Sequence, residues 1–208
     1  MDFTSLGNKT QTINLSKNTG TLSIDLTKRG KPLVEVYFGA SWDPVMSGRS
    51  IDIDTTAIAV ASDGKWHEAS DVLFYNNLQN AYMEHSPDDL DGSSADGDDD
   101  DEFIKVNLVK APDYIQEIIL VANIFEADKR NQTFGSVRSV MRICEKDANG
   151  KELARFRLSD DYATDTAVVL GKFTRVSGNW EFETIGRGSM ELLGEILTKY
   201  AGERLVFK

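Results

Sequence analysis

The sequence predicts an all-β protein, an antiparallel two-sheet β-sandwich closed by a C-terminal helix. Three observations predict it. Short runs carry apolar residues at every second position, turn residues separate them, and a helical pattern occurs only near the end. The chain has 208 residues, enough for one large domain with its own core. Hydrophobic residues make up 40% and charged residues 27%, which excludes general disorder.

The elements follow in order. Residues 13–17 (Ile-Asn-Leu-Ser-Lys) and 24–28 (Ile-Asp-Leu-Thr-Lys) echo each other and read as two short edge strands. The domain is therefore expected over 13–208, after an N-terminal extension at 1–12. Residues 21–26 alternate with period two, as do residues 33–38 toward their end. Residues 51–54 (Ile-Asp-Ile-Asp) alternate and run into 57–61, an expected buried strand. Asp63-Gly64 and Asn149-Gly150 lie between apolar runs and read as hairpin turns, because both offer residues tolerant of positive φ. Residues 103–108 alternate, and 115–125 are apolar and β-branched. Further strands are expected at 141–143, 153–158, 166–170 and 180–185, with a plain glycine-rich turn at 186–189. Leu192, Leu193, Ile196, Leu197 and Tyr200 recur at helical spacing, predicting a helix over 190–200.

Charge is concentrated in one place. No Lys or Arg occurs between Lys65 and Lys105, and the gap holds twelve acidic residues, ending in Asp98-Asp99-Asp100-Asp101-Glu102. The whole chain carries a net charge of −11, so the remainder is close to neutral. Such crowding costs repulsion unless water, salt or a cation offsets it. Two readings follow: a hard divalent cation site, most naturally Ca²⁺, or a solvated acidic loop over 86–102. Gly92 and Gly97 among the aspartates suit inward-turning carbonyls. EF-hand spacing fails, because after Asp96, Asp98 and Asp100 the required glycine position holds Asp101. A site would then need side chains from elsewhere. Asp52 and Asp54 are the natural partners, on one strand face about 7 Å apart and beside Asp43.

Other chemistry is weakly supported. A pI near 4.7 argues against nucleic-acid binding, and Arg155-Phe156-Arg157 reads as a strand with two outward cations. The single Cys144 cannot form an internal disulfide and reads as a small strand residue, which suits a reducing compartment. Residues 1–10 lack the apolar core of a secretion signal, and the longest apolar run, 118–122, is too short for a bilayer. A soluble, intracellular protein is expected. His67 and His85 are the only histidines, and neither sits in a hydrolase motif. His85 borders the acidic loop without a Ser or Cys nucleophile pattern, so no enzyme is expected. No Walker loop or GxGxxG is present.

An ordered series of fragments resembles the TerD-type tellurium-resistance and stress proteins over roughly residues 13–193. The two opening strands match. Phe38-Gly39-Ala40-Ser41-Trp42-Asp43 resembles the family's glycine-rich Trp-Asp turn, and Ile51-Asp52-Ile53-Asp54-Thr55-Thr56 its Phe-Asp-Leu-Asp-Ala-Ser motif. Phe74-Tyr75-Asn76-Asn77, His85-Ser86-Pro87-Asp88 and Asp100-Asp101-Glu102-Phe103-Ile104 follow in order. Arg142-Ile143, Gly150-Lys151-Glu152-Leu153, Thr166-Ala167 and Trp180-Glu181-Phe182 complete the series.

The resemblance implies a two-sheet sandwich that binds Ca²⁺ through Asp52, Asp54, Asp88, Asp100, Asp101 and Glu102, with Asp43 and Asp89 as further candidates. It also implies resistance to tellurite, other chemical stress and phage or colicin attack. The family acts without established catalysis, through protein assemblies at the inner face of the membrane. The chain departs from the pattern at Pro87, where glycine is usual, in the long Asp-rich stretch 90–102, and at 186–191. Such a divergent member suits a phage or mobile element. The alternative is therefore a structural or virion-associated interaction protein that keeps the sandwich without functional metal sites.

Overall fold

The computed structural model describes residues 13–15, 23–24, 33–44, 50–93 and 100–202. The expected extension at 1–12 and the loop residues Asp96, Asp98 and Asp99 lie outside them. The strands are β1 (Ile13–Leu15), β2 (Ser23–Ile24), β3 (Glu35–Pro44), β4 (Ile53–Val60), β5 (Val72–Leu73) and β6 (Met83–His85). They continue as β7 (Glu102–Asn107), β8 (Glu117–Ile124), β9 (Val137–Glu145), β10 (Glu152–Arg157), β11 (Ala167–Val176) and β12 (Asn179–Ser189). Short helices α1 (Ala127–Arg130) and α2 (Leu158–Asp161) interrupt them, and α3 (Leu193–Lys199) follows.

Two sheets form, in the orders β1-β10-β9-β3-β7-β6 and β2-β12-β11-β8-β4-β5. Among the described strands every pairing is antiparallel except that of β1 with β10. Alternation supplies the core between them. Phe38, Ile104, Met141, Ile143 and Phe156 face inward from the first sheet, and Ile53, Ala57, Leu120, Phe173 and Phe182 from the second. On β7 the burial alternates as the sequence does.

Every residue of β4 is buried, because its sheet is covered on both faces. Ile58, Val60, Ile119, Val121 and Val169 form a second apolar cluster, sealed by Trp66 and by Ile196 and Leu197 of α3. The Trp66 indole donates to the Leu197 carbonyl oxygen at 3.0 Å, fixing the helix to the sheet. Glu195 accepts the Leu192 N–H at 2.9 Å, which caps the first turn and starts the helix later than residue 190.

Three local expectations change. Residues 186–189 are not a turn but the end of β12, where Arg187, Gly188 and Ser189 pair with Val169, Val168 and Ala167. The register shifts there, and Gly186 at φ 60° takes the bulge that looked like a turn. The Trp42-Asp43 segment is likewise extended strand within β3, and Gly39 leaves room there for the Asp100 carboxylate. Asn149-Gly150 does lie between β9 and β10, but the positive φ in that connection belongs to Lys146, at 69°. Gly64, at φ 74°, takes the tight turn after β4 as expected.

Candidate metal centre

Asp52 immediately precedes β4 and Asp54 is its second residue. Their neighbours Ile51, Ile53 and Ala57 point into the inter-sheet core, so alternation sends both carboxylates to the outer face of the second sheet. The segment after β6 brings Asp88 to the same place. One carboxylate oxygen from each of Asp52, Asp54 and Asp88 lies within 4.8 Å of the others. Asp52 and Asp54 are only 4% and 2% exposed, which excludes a solvated face for this pair, whereas Asp88 opens to solvent.

Burial is the main force on their protonation. It pushes Asp52 up to about 6, with the charge of Asp88 adding to it and the Arg130 guanidinium opposing. It pushes Asp54 up to about 7, helped by Asp52 and opposed by a hydrogen bond from Asn123. That bond runs from Asn123 Nδ2 to Asp54 Oδ2 at 2.8 Å. Arg130 Nη1 stands 3.7 Å from Asp52 Oδ2 and is one-third exposed. Oδ1 of Asp52 and Oδ1 of Asn123 are both buried with no hydrogen-bond partner. A buried carboxylate oxygen with no donor is costly, and a divalent cation is what such a group of hard oxygens fits. Ca²⁺ takes six to eight oxygens at about 2.3–2.6 Å, of which three carboxylates supply about three to six.

A cavity of about 200 Å³ opens beside the triad, with Asp54 and Asn123 among its lining and Tyr75, Phe125, Lys129 and Leu193 around it. Tyr75 and Phe125 meet edge to face at 5.7 Å. The Tyr75 hydroxyl is raised above its usual value by burial, then by Asp54, Asp88 and Asp52.

Among the other acidic residues expected from sequence, Asp100, Asp101, Glu102 and Asp89 face protein donors. Asp100 receives Arg142 Nε at 2.9 Å and Nη2 at 2.7 Å. Asp101 Oδ2 accepts the Trp42 N–H at 2.8 Å. Glu102 accepts the Thr55 N–H and hydroxyl at 2.9 and 3.0 Å and the Asp89 N–H at 3.3 Å. Burial pushes Glu102 up to about 8, against those hydrogen bonds. Asp89 Oδ1 accepts the N–H groups of Asp91 and Gly92 at 2.9 and 2.8 Å, which shapes the loop. Asp43 is exposed on β3, in the other sheet. Of the residues expected from sequence, the fold thus gathers Asp52, Asp54 and Asp88 into the triad. It engages Asp100, Asp101 and Glu102 in hydrogen bonds around it.

His85 is buried, with Nδ1 2.7 Å from the Ser86 carbonyl oxygen and Nε2 3.0 Å from Thr55 Oγ1. His67 pairs with Asp63 at 3.0 Å near the surface. The Cys144 thiol is buried and pushed up to about 11, which makes it a poor nucleophile. Asn123, Arg130 and Tyr75 were not singled out from sequence as parts of the centre. Asn123 alone had a usable signal, as the one polar residue inside the apolar run 118–124.

The chain has relatives. A family model described as the TerD domain matches residues 11–200. General stress protein 16U of Bacillus subtilis (strain 168) is 36% identical over 194 residues, covering 91% of this chain and 97% of that protein. Tellurium resistance protein TerD of Serratia marcescens is 34% identical over 191 residues, covering 90% and 96%. The crystal structure of a TerD homologue from Streptomyces coelicolor A3(2) aligns with a TM-score of 0.68 at 22% identity, over 79% of this chain and 95% of that one. A crystal structure of a protein of unknown function aligns with a TM-score of 0.70 at 20% identity, over 83% and 100%. Both share the fold.

Proposed function

Because this chain belongs to the TerD domain family of tellurium-resistance and general stress proteins, we propose that it is a non-enzymatic Ca²⁺-binding module. It serves resistance to tellurite or related chemical stress by assembling with protein partners. One observation carries the metal half of this reading: Asp52, Asp54 and Asp88 converge with the buried Oδ1 of Asp52 left unpartnered. Bound calcium would neutralise that cluster and tie the loop segment bearing Asp88 to β4, with Asp52, Asp54 and Asp88 holding the ion. The family names support the stress role, and the acidic segment offers a surface for cationic partner groups. No helix among the described residues is long and apolar enough to cross a membrane, so action at the inner membrane face would run through partners.

A thermal melt in EDTA, repeated with millimolar Ca²⁺, tests the metal half. A cation that binds only the folded state adds about 2.7 kcal/mol at a hundredfold excess over Kd. A rise in midpoint is expected, and an unchanged midpoint overturns the site. That second result would favour an interaction protein whose acidic loop works without a metal.

A further inference from the structure

A single carboxylate joins the two segments that supply the triad. Oε2 of Glu102 accepts the Thr55 N–H at 2.9 Å and the Thr55 hydroxyl at 3.0 Å. Oε1 accepts the Asp89 N–H at 3.3 Å. Thr55 follows Asp54 and Asp89 follows Asp88, so the two oxygens of one planar group hold the residues next to two of the three candidate ligands. Glu102 is itself anchored. It begins β7, stands opposite Ala40 of β3, and has no solvent exposure. Its side chain therefore reaches from the first sheet to β4 of the second. Alternation turns the Thr55 side chain inward where that of Asp54 turns outward, and the Thr55 N–H lies in the plane of the sheet, so Glu102 grips β4 along its edge. His85 supports the grip, with Nε2 3.0 Å from the Thr55 hydroxyl oxygen.

We propose that Glu102 is a positioning residue rather than a metal ligand: it sets the spacing between Asp54 and Asp88 by stapling the loop to the strand. The proposal rests on the calcium reading above for its consequence in affinity, and on the staple itself for a metal-free consequence. Both oxygens already serve as acceptors for protein donors. A carboxamide at this position keeps the shape but faces one of those donors with an NH₂ group, so either Thr55 or Asp89 loses its acceptor.

Glu102→Gln is therefore compared with wild type by calorimetric Ca²⁺ titration and, separately, by amide hydrogen exchange in EDTA. Calcium affinity is expected to fall at least tenfold with unchanged stoichiometry. In an Asp88→Asn background the same substitution should cost less than threefold more, because the segment it positions no longer supplies a charged ligand. Fully additive losses would overturn the proposal and mark Glu102 as an independent ligand. In EDTA, exchange at Thr55 or Asp89 should accelerate at least tenfold relative to amides of β11. Unaltered exchange at both overturns the staple whether or not calcium binds. A wild type that takes up no calcium defeats the metal reading alone, and the exchange result then decides the staple. If Glu102→Gln fails to fold, Thr55→Val removes only the hydroxyl donor. A three- to tenfold loss of affinity is expected there, and unchanged affinity would overturn the proposal.

Discussion

The Trp42 indole Nε1 donates to the carbonyl oxygen of Ile51 at 2.8 Å, fixing the backbone one residue before Asp52. The Trp42 N–H in turn donates to Asp101. One residue, through its backbone N–H and its indole, thus couples the acidic run of the loop to the backbone just before the first residue of the triad. Gly92 lies against the same tryptophan, at φ 74°, and a Cβ there would collide with the Trp42 carbonyl oxygen.

Gly92→Ala should consequently destabilise the protein by about 1–3 kcal/mol, from the left-handed backbone and the displaced contact together. Urea denaturation in EDTA measures this, and calcium affinity should fall in parallel as the loop shifts. An unchanged midpoint would show that the loop can move away from Trp42 at no cost.

Asp54→Asn separates the ligand from the scaffold. The amide keeps an oxygen to accept from Asn123 but loses the charge, so calcium affinity should fall at least tenfold, about 1.4 kcal/mol. Metal-free stability at pH 8 should hold or rise, because a buried anion crowded by Asp52 has gone. Paired titration and melting check both. A loss of metal-free stability would mark Asp54 as a structural acceptor instead.

Stability should depend on pH in a direction the buried carboxylates dictate. Burial raises Asp52, Asp54 and Glu102 to about 6, 7 and 8 in the folded state. In the unfolded chain such groups titrate at about 4. Between those limits the folded protein retains protons that the unfolded chain has released. Metal-free stability is therefore greatest near pH 4 as far as these groups are concerned, and it falls as pH rises toward 8. Calcium competes with the same protons, so its stabilising shift should be larger at pH 8 than at pH 5.5. Melts in EDTA and in calcium at both values measure this, and Asp54→Asn should flatten the metal-free slope.

The Arg142–Asp100 pair makes a prediction independent of any metal. The Asp100 side chain is 2% exposed and that of Arg142 17%. Arg142→Met strands a buried carboxylate and should cost about 3 kcal/mol. Adding Asp100→Asn should recover part of that loss. Chemical denaturation of both single variants and the double variant tests it, and additive losses would deny the coupling.

The strands were legible because period-two alternation is a direct imprint of a sheet with one face on the core, as at residues 102–107. Asp52 and Asp54 were legible for the same reason, since residues two apart share a face. The protein partners of Asp100, Asp101 and Glu102 were not legible in the sequence, because a carboxylate looks the same whether it meets a cation or an N–H group. Only the fold brings Arg142, Trp42 and Thr55 to them. Gly186 misled for a related reason: a glycine marks freedom of φ, which a turn and a bulge both require. Asn123 escaped notice because its partner Asp54 lies 69 residues away in sequence and is met only through the β4–β8 register.

The order of the strands carries one more consequence. β5 and β6 end the two sheets on one flank and touch each other, while β1 and β2 end them elsewhere among the described residues. β5 has two residues and β6 three. An incoming extended segment would find too little exposed backbone there to extend either sheet, so this flank resists the strand-by-strand growth that turns sandwiches into fibrils. The assembly role proposed above would then run through faces and loops, whose chemistry selects the partner, and not through strand addition on this flank.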